Sequence, residues 1–186
     1  MKKIHLLLFL SMGCLGAFAQ KYVPQITAGT QIAYTVSKDG ESIAFRLNIH
    51  SISDSLKMDW EVSEYGNGSY TMALKSLQNG KKMVLKVPLP DEVTQLPDTE
   101  TMGFISRSAF KCMAKNKFMV FDNMKYILST VTTPPINSNG QELDVIHAVS
   151  VDGRNQLWIL NNPDFPLICK TINNIVGANL TLRYIK

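Results

Sequence analysis

Alternation of apolar and polar side chains is what most limits the folds open to this chain. Leu56, Met58, Trp60 and Val62 take every second position, with Lys57, Asp59 and Glu61 between them. Phe45, Leu47 and Ile49 alternate with Arg46, Asn48 and His50 in the same way. A period of two puts each set on its own face of an extended strand, so these segments read as half-buried antiparallel strands.

Turn chemistry divides the pattern into hairpins. Lys38-Asp39-Gly40-Glu41 separates Tyr34–Ser37 from Ser42–Ile49, and Asp-Gly is the strongest short hairpin signal. Asp152-Gly153 joins Leu143–Val151 to Gln156–Leu160, and Asp122-Asn123 links Phe118–Phe121 to Lys125–Val131. Asn67-Gly68 and Asn79-Gly80 mark two further turns. A last pair, Phe165–Ile172 and Ala178–Ile185, turns through Asn173-Asn174 or Gly177.

One segment has a helical period instead. From Ile105 to Asn116, the residues Ile105, Ala109, Cys112 and Met113 share an arc, with Phe110 at its margin. Arg107, Lys111 and Lys115 lie opposite, and Thr99 or Thr101 is placed to cap the approach. Ala73–Gln78 fits a helical turn or a strand equally well. Prolines 88, 90, 97, 134 and 135 punctuate loops and do not divide domains. The fold class that follows is mainly β (α+β): a strongly curved antiparallel sheet or open half-barrel of about ten strands. The amphipathic helix covers it, because an apolar stripe must be buried and the sheet's apolar face is the partner available.

The N-terminus carries an export pattern. Lys2 and Lys3 precede an apolar run from Ile4 to Met12, and Ala17-Phe18-Ala19 has the A-x-A form of a cleavage site. The run is short of the roughly 20 residues a bilayer crossing needs. The reading is a signal peptide over 1–19, cleaved after Ala19, and a single exported β-rich domain over 20–186. The alternative is lipoprotein anchoring through Cys14, against which the small polar Ser11 stands at a position that favours a larger aliphatic residue. Loss of Lys2 and Lys3 halves the formal charge of +4, and the remaining basic residues form no run, which argues against nucleic acid as a partner.

Cys112 and Cys169 remain in the exported part. In an oxidising compartment they are a possible disulfide, and the alternative is two buried thiols. Metal binding is not expected, since neither His50 nor His147 stands at ligand spacing from a cysteine. No phosphate loop, nucleophile elbow or paired metal-binding histidines are present. Asp152-Gly153-Arg154-Asn155 lacks the ladder of oxygen ligands that a calcium loop needs and reads as a turn. His147 shares its alternation with Leu143, Val145, Val149 and Val151, and is expected to point inward, more as a core residue than as a catalytic base. His50 belongs to a polar face. The Arg107, Lys111, Lys115 stripe suits either solvent or a peripheral contact with anionic headgroups. Met58, Met72, Met83 and Met113 fall on apolar positions, where flexible thioethers suit a core or an adaptable apolar pocket.

Gln156-Leu157-Trp158-Ile159-Leu160, the turn through Asn161–Asp164, and Phe165-Pro166-Leu167-Ile168-Cys169-Lys170 together resemble the closing hairpin of LolA-like periplasmic lipoprotein-carrier domains. Phe104 to Lys111 resembles a strand-to-helix feature of uncharacterised exported β-rich envelope proteins. The two stretches cover about a quarter of the chain. The resemblance implies a half-open barrel whose concave apolar face receives acyl chains. No motif matches the carrier's ligand-contacting residues one by one, and its exchange-linked arginine has no counterpart.

These readings converge on a periplasmic envelope protein that binds an apolar small molecule or a lipidated protein. A dry pocket of several hundred Å3 is expected near Met58, Trp60, Leu157 and Ile159. The alternatives are an envelope assembly factor acting through its surface or a sheet edge, and a hydrolase, for which no nucleophile–base pair is visible.

Overall fold

The computed structural model describes residues 20–84 and 89–186. The signal segment, with Lys2, Lys3, Cys14 and the junction after Ala19, lies outside the described residues. Four long strands open the fold: β1 (Gln31–Lys38), β2 (Glu41–Ser51), β3 (Ser55–Val62) and β4 (Gly66–Ala73). Helix α1 (Leu74–Asn79) follows, then short β5 (Lys82–Met83), β6 (Val93–Gln95) and β7 (Glu100–Thr101). Helix α2 (Arg107–Asn116) leads into β8 (Phe118–Phe121) and β9 (Met124–Leu128). After the small hairpin β10 (Asn137–Ser138) and β11 (Gln141–Glu142) come β12 (Val145–Ser150) and β13 (Gln156–Leu160). The last two strands are β14 (Ile168–Ile172) and β15 (Asn179–Ile185).

Eleven of these strands form one sheet in the order β6-β4-β3-β2-β1-β15-β14-β13-β12-β9-β8. Every pairing in it is antiparallel except β4 with β6, so the sheet is mixed where an all-antiparallel one was expected. It is not closed into a barrel: β6 and β8 are its two ends and do not pair. Among the described residues no helix is long and apolar enough to cross a membrane.

The alternation sets the burial. Ile32 and Tyr34, Phe45, Leu47 and Ile49, Leu56, Met58 and Trp60, and Tyr70 and Met72 line one face and are buried. Arg46 and Glu61 pair across the other face at 3.3 Å, as do His50 and Asp59 at 3.1 Å. The hairpins fall where Asp39-Gly40 and Asp122-Asn123 place them, with φ of 51° and 87° in the first and 52° and 58° in the second. Positive φ at both central residues matches the right-handed twist of the flanking strands.

Two turn readings need correction. Asn67-Gly68 lies inside β4, and the turn before it runs through Ser63, Glu64 and Tyr65. Here Glu64, not a glycine, takes the left-handed φ of 66°. Asn79-Gly80 ends α1, so Ala73–Gln78 resolves into a helix, and two helices meet where one was expected. The second helix begins later than Ile105. Ser106 is its N-cap, accepting from the Ala109 N–H at 3.4 Å, and Thr101 instead donates to the Phe104 carbonyl at 2.7 Å. Its buried residues are Phe110 and Met113, so Phe110 belongs to the packed face and not its margin.

Helix α1 packs on β3 and β4, α2 packs on β8, and the two helices touch. Beyond them, the Asp122 N–H donates to the Lys81 carbonyl at 2.8 Å, and the Met83 N–H donates to Asp122 Oδ1 at 2.8 Å. A clasp thus joins the segment after α1 to the β8–β9 turn at the far end of the sheet order.

Burial raises the Asp122 carboxyl to about 6, against the opposing pull of the Met83 N–H and Lys82. A carboxyl whose folded value is raised binds its proton more tightly in the folded state. Its contribution therefore falls as pH rises from near 4 to near 6, and it costs stability above that window. A shift of this size corresponds to at most about 3 kcal/mol, roughly halved because part of the group stays screened by solvent. Asp122→Asn keeps the acceptor for Met83. Its urea midpoint is expected to exceed the parent's near pH 8 and to converge with it near pH 4.5. A gap independent of pH would contradict this account of the clasp.

Candidate functional site

The hairpin tips of β1–β2 and β3–β4 and the loop before β15 gather at one end of the sheet's apolar face. Register explains why: Ser37 is opposite Ser42 on one side and Asn179 on the other. Between these tips is a groove of about 660 Å3. Val36, Phe45, Val62, Tyr70, Met102 and Ala178 form its apolar lining, and Ile43, Tyr65 and Val176 stand at its rim. Lys38, Asp39, Glu41 and Glu64 complete the rim.

The groove is an outward continuation of the core. Phe45 and Tyr70 are buried, whereas Ile43 is 48% and Tyr65 44% exposed, so apolar surface grades from closed to open. Burial, with Tyr65 nearby, pushes the Tyr70 phenol up and keeps it protonated. The Tyr65 ring lies 6.2 Å from that of Trp60, which places a buried indole within sensing distance of the mouth.

Met58, Trp60, Leu157 and Ile159 all belong to the buried core, at 0–3% exposure. Met58 and Trp60 stand on β3, below Val62 on the same face. Leu157 and Ile159 are on β13, opposite Ala148 and Ile146. None of the four lines this groove; Trp60 borders a second one, where Gln31, Arg46, Asn48, Asp59, Glu61 and Asn67 are neighbours. That second groove is polar, and much of its polarity is internally satisfied: Arg46 with Glu61, and Asp59 with His50 and the Ser69 hydroxyl.

The four residues expected from the sequence share the buried face from which this groove opens, at positions the groove does not reach. Val36, Phe45 and Val62 were legible as apolar strand positions beside turns. Met102, Val176 and Ala178 lie in irregular segments, where no periodicity marks them.

His147 does not point inward. The buried positions of β12 are Ala148 and Ser150, and His147 belongs to the opposite parity. Its ring stacks on Trp158 at 4.3 Å and its Nε2 is 2.9 Å from Gln156 Oε1. The loop through Thr133 covers this outer surface, where the Trp158 Nε1–H donates to Thr133 Oγ1 at 3.0 Å. Period two is preserved, but a long loop buries the outer face of β12 and β13, so apolar character appears on both sides and misleads the face assignment.

Cys112 and Cys169 are both free cysteines in this structure. Cys112 sits on the side of α2 that accepts a hydrogen bond from Asn116 Nδ2, away from the buried Phe110 and Met113. Cys169 is buried in β14, and burial pushes its thiol up to about 12. Arg107 Nε donates to the Asp164 carbonyl at 2.7 Å. Lys111 and Lys115 remain exposed. Among the described residues no group of three or more His, Cys, Asp or Glu is placed to hold a metal ion.

Comparison with family models, with curated proteins and with solved structures finds no match to this chain.

Proposed function

We propose that this is an exported, non-catalytic envelope protein that takes an apolar chain, the acyl group of a small molecule or of a lipidated partner, into the mouth between its hairpin tips. The observation that carries the reading is the groove itself. At about 660 Å3 it falls within the roughly 300–1,000 Å3 typical of small-molecule sites, and its lining is mostly aliphatic and aromatic. Apolar surface left open to water is costly unless something covers it, and an alkyl chain matches this surface without needing polar partners.

The half-open barrel form belongs to the same proposal. Eleven strands laid flat at about 4.8 Å would separate the two ends by nearly 50 Å. Helices of 6 and 10 residues, about 9 and 15 Å long, together with the Lys81–Asp122 clasp, connect elements from both ends. Strong curvature reconciles these lengths and makes the apolar face concave. It also supports keeping the LolA-like resemblance, with its acyl-chain chemistry and periplasmic setting, as the working frame.

A second reading, assembly through a sheet edge, has one observation in its favour. Edge strand β8 exposes Val120, at 60%, beside the 44% exposed Ile127 of β9. The two readings separate on one titration. Calorimetry with dodecanol, which carries no charge, is expected to show saturable one-to-one uptake with a negative heat-capacity change, the mark of apolar burial. No uptake up to the solubility limit of dodecanol would refute the chain-binding reading and leave the β8 edge as the surface to pursue.

A further inference from the structure

Four charged side chains ring the mouth, and their sum is not neutral. One cation, Lys38, stands there against three carboxylates, Asp39, Glu41 and Glu64, so the rim is net negative. Asp39 and Glu64 stand in the turns of two different hairpins, with φ of 51° and 66°. Both residues are exposed. Among the described residues none of the four forms an ion pair. The acidic character is local, since the whole chain carries a formal charge of +4.

We infer that the mouth selects single-chain amphiphiles with a cationic head. The inference rests on the chain-binding reading above and adds the chemistry of the head to it. A chain inserted between Val36, Phe45, Val62 and Met102 leaves its head at the rim that Asp39, Glu41 and Glu64 share. An ammonium there gains from the rim carboxylates. A carboxylate or phosphate head meets repulsion from the same groups. Electrostatic complementarity of this kind fixes which head is accepted more than how tightly the chain is held.

Three probes of equal chain length test the inference by calorimetry at low salt, below their micellar concentrations: dodecyltrimethylammonium, dodecanol and dodecanoate. Exposed charges act weakly, so the expected spread is modest, with the ammonium probe about tenfold tighter than dodecanoate and dodecanol between them. At about 0.5 M salt, where the Debye length drops to a few Å, the spread is expected to shrink to about twofold. The double variant Asp39→Asn, Glu64→Gln is expected to collapse it at low salt as well. Dodecanoate binding as tightly as the ammonium probe, or a spread that survives the double variant, would overturn the head-group inference and leave chain binding standing. Failure of all three probes to bind would overturn chain binding and the inference together.

Discussion

Ala178→Trp should abolish chain uptake. Ala178 is half-buried in the groove, just ahead of β15, and lines it together with Val36 and Phe45, so an indole in its place is expected to fill much of the mouth. A chain shut out of the mouth loses the burial of several methylenes at about 0.8 kcal/mol each. Three or four of them amount to about 3 kcal/mol, or roughly a hundredfold in affinity. Dodecanol titration of the variant should therefore show weakening of at least about a hundredfold. Val36→Asp serves as an independent check, since a carboxylate in the lining repels the chain without filling the space. Circular dichroism of both variants separates a blocked mouth from a lost fold. Parent-like affinity in two folded variants would place the chain elsewhere.

The largest expected loss of stability comes from a methyl group in a different place. At Gly80 an added Cβ would stand 2.5 Å from Thr101 Cγ2 and 2.6 Å from the Ser76 carbonyl oxygen. That oxygen accepts the Gly80 N–H at 2.7 Å, so it cannot retreat without opening the end of α1. The next residue, Lys81, donates to the Thr99 carbonyl and accepts from Asp122, so strain at Gly80 spreads into the clasp between the sheet's ends. Overpacking against backbone costs about 3 kcal/mol. For a domain of this size, Gly80→Ala should lower Tm by about 6–12 °C. Adding Thr101→Ser removes the Cγ2 clash while keeping a hydroxyl for the Phe104 carbonyl, and should recover part of the loss. The Ser76 contact persists, so full recovery is not expected. A Gly80→Ala protein as stable as the parent would mean that the clasp is loose.

The strands were legible because each needs only local information. One buried face and one wet face write themselves into alternation, as in Leu56–Val62, and Asp39-Gly40 and Asp122-Asn123 state their turns through backbone conformations few residues tolerate. The candidate site is legible only as a face. Met58 and Trp60 stand out in the alternation of that face, but burial increases away from the hairpin tips, and nothing in the period reveals where along a strand water begins. Met102, Val176 and Ala178 reach the mouth through tertiary contacts of irregular segments. His147 failed for the complementary reason: a loop covering β12 and β13 makes the outer face apolar as well, and alternation then loses its meaning. The turn at Ser63–Tyr65 was hidden because Glu64 takes a conformation that sequence reasoning reserves for glycine or asparagine. The cysteine pair was undecidable from sequence, since a single pair has no pattern of spacings to set against the fold.

The central claim is one of position, that an apolar chain enters between the hairpin tips. The most direct measurement is photo-crosslinking with a dodecanol analogue carrying a diazirine at mid-chain, followed by peptide mapping of the purified protein. The account requires label on Val36, Phe45, Val62, Tyr65 or Met102, suppressed by excess dodecanol and lost in Ala178→Trp. Label concentrated on the exposed side of α2 or on the β8 edge, or label that excess dodecanol does not suppress, would contradict it.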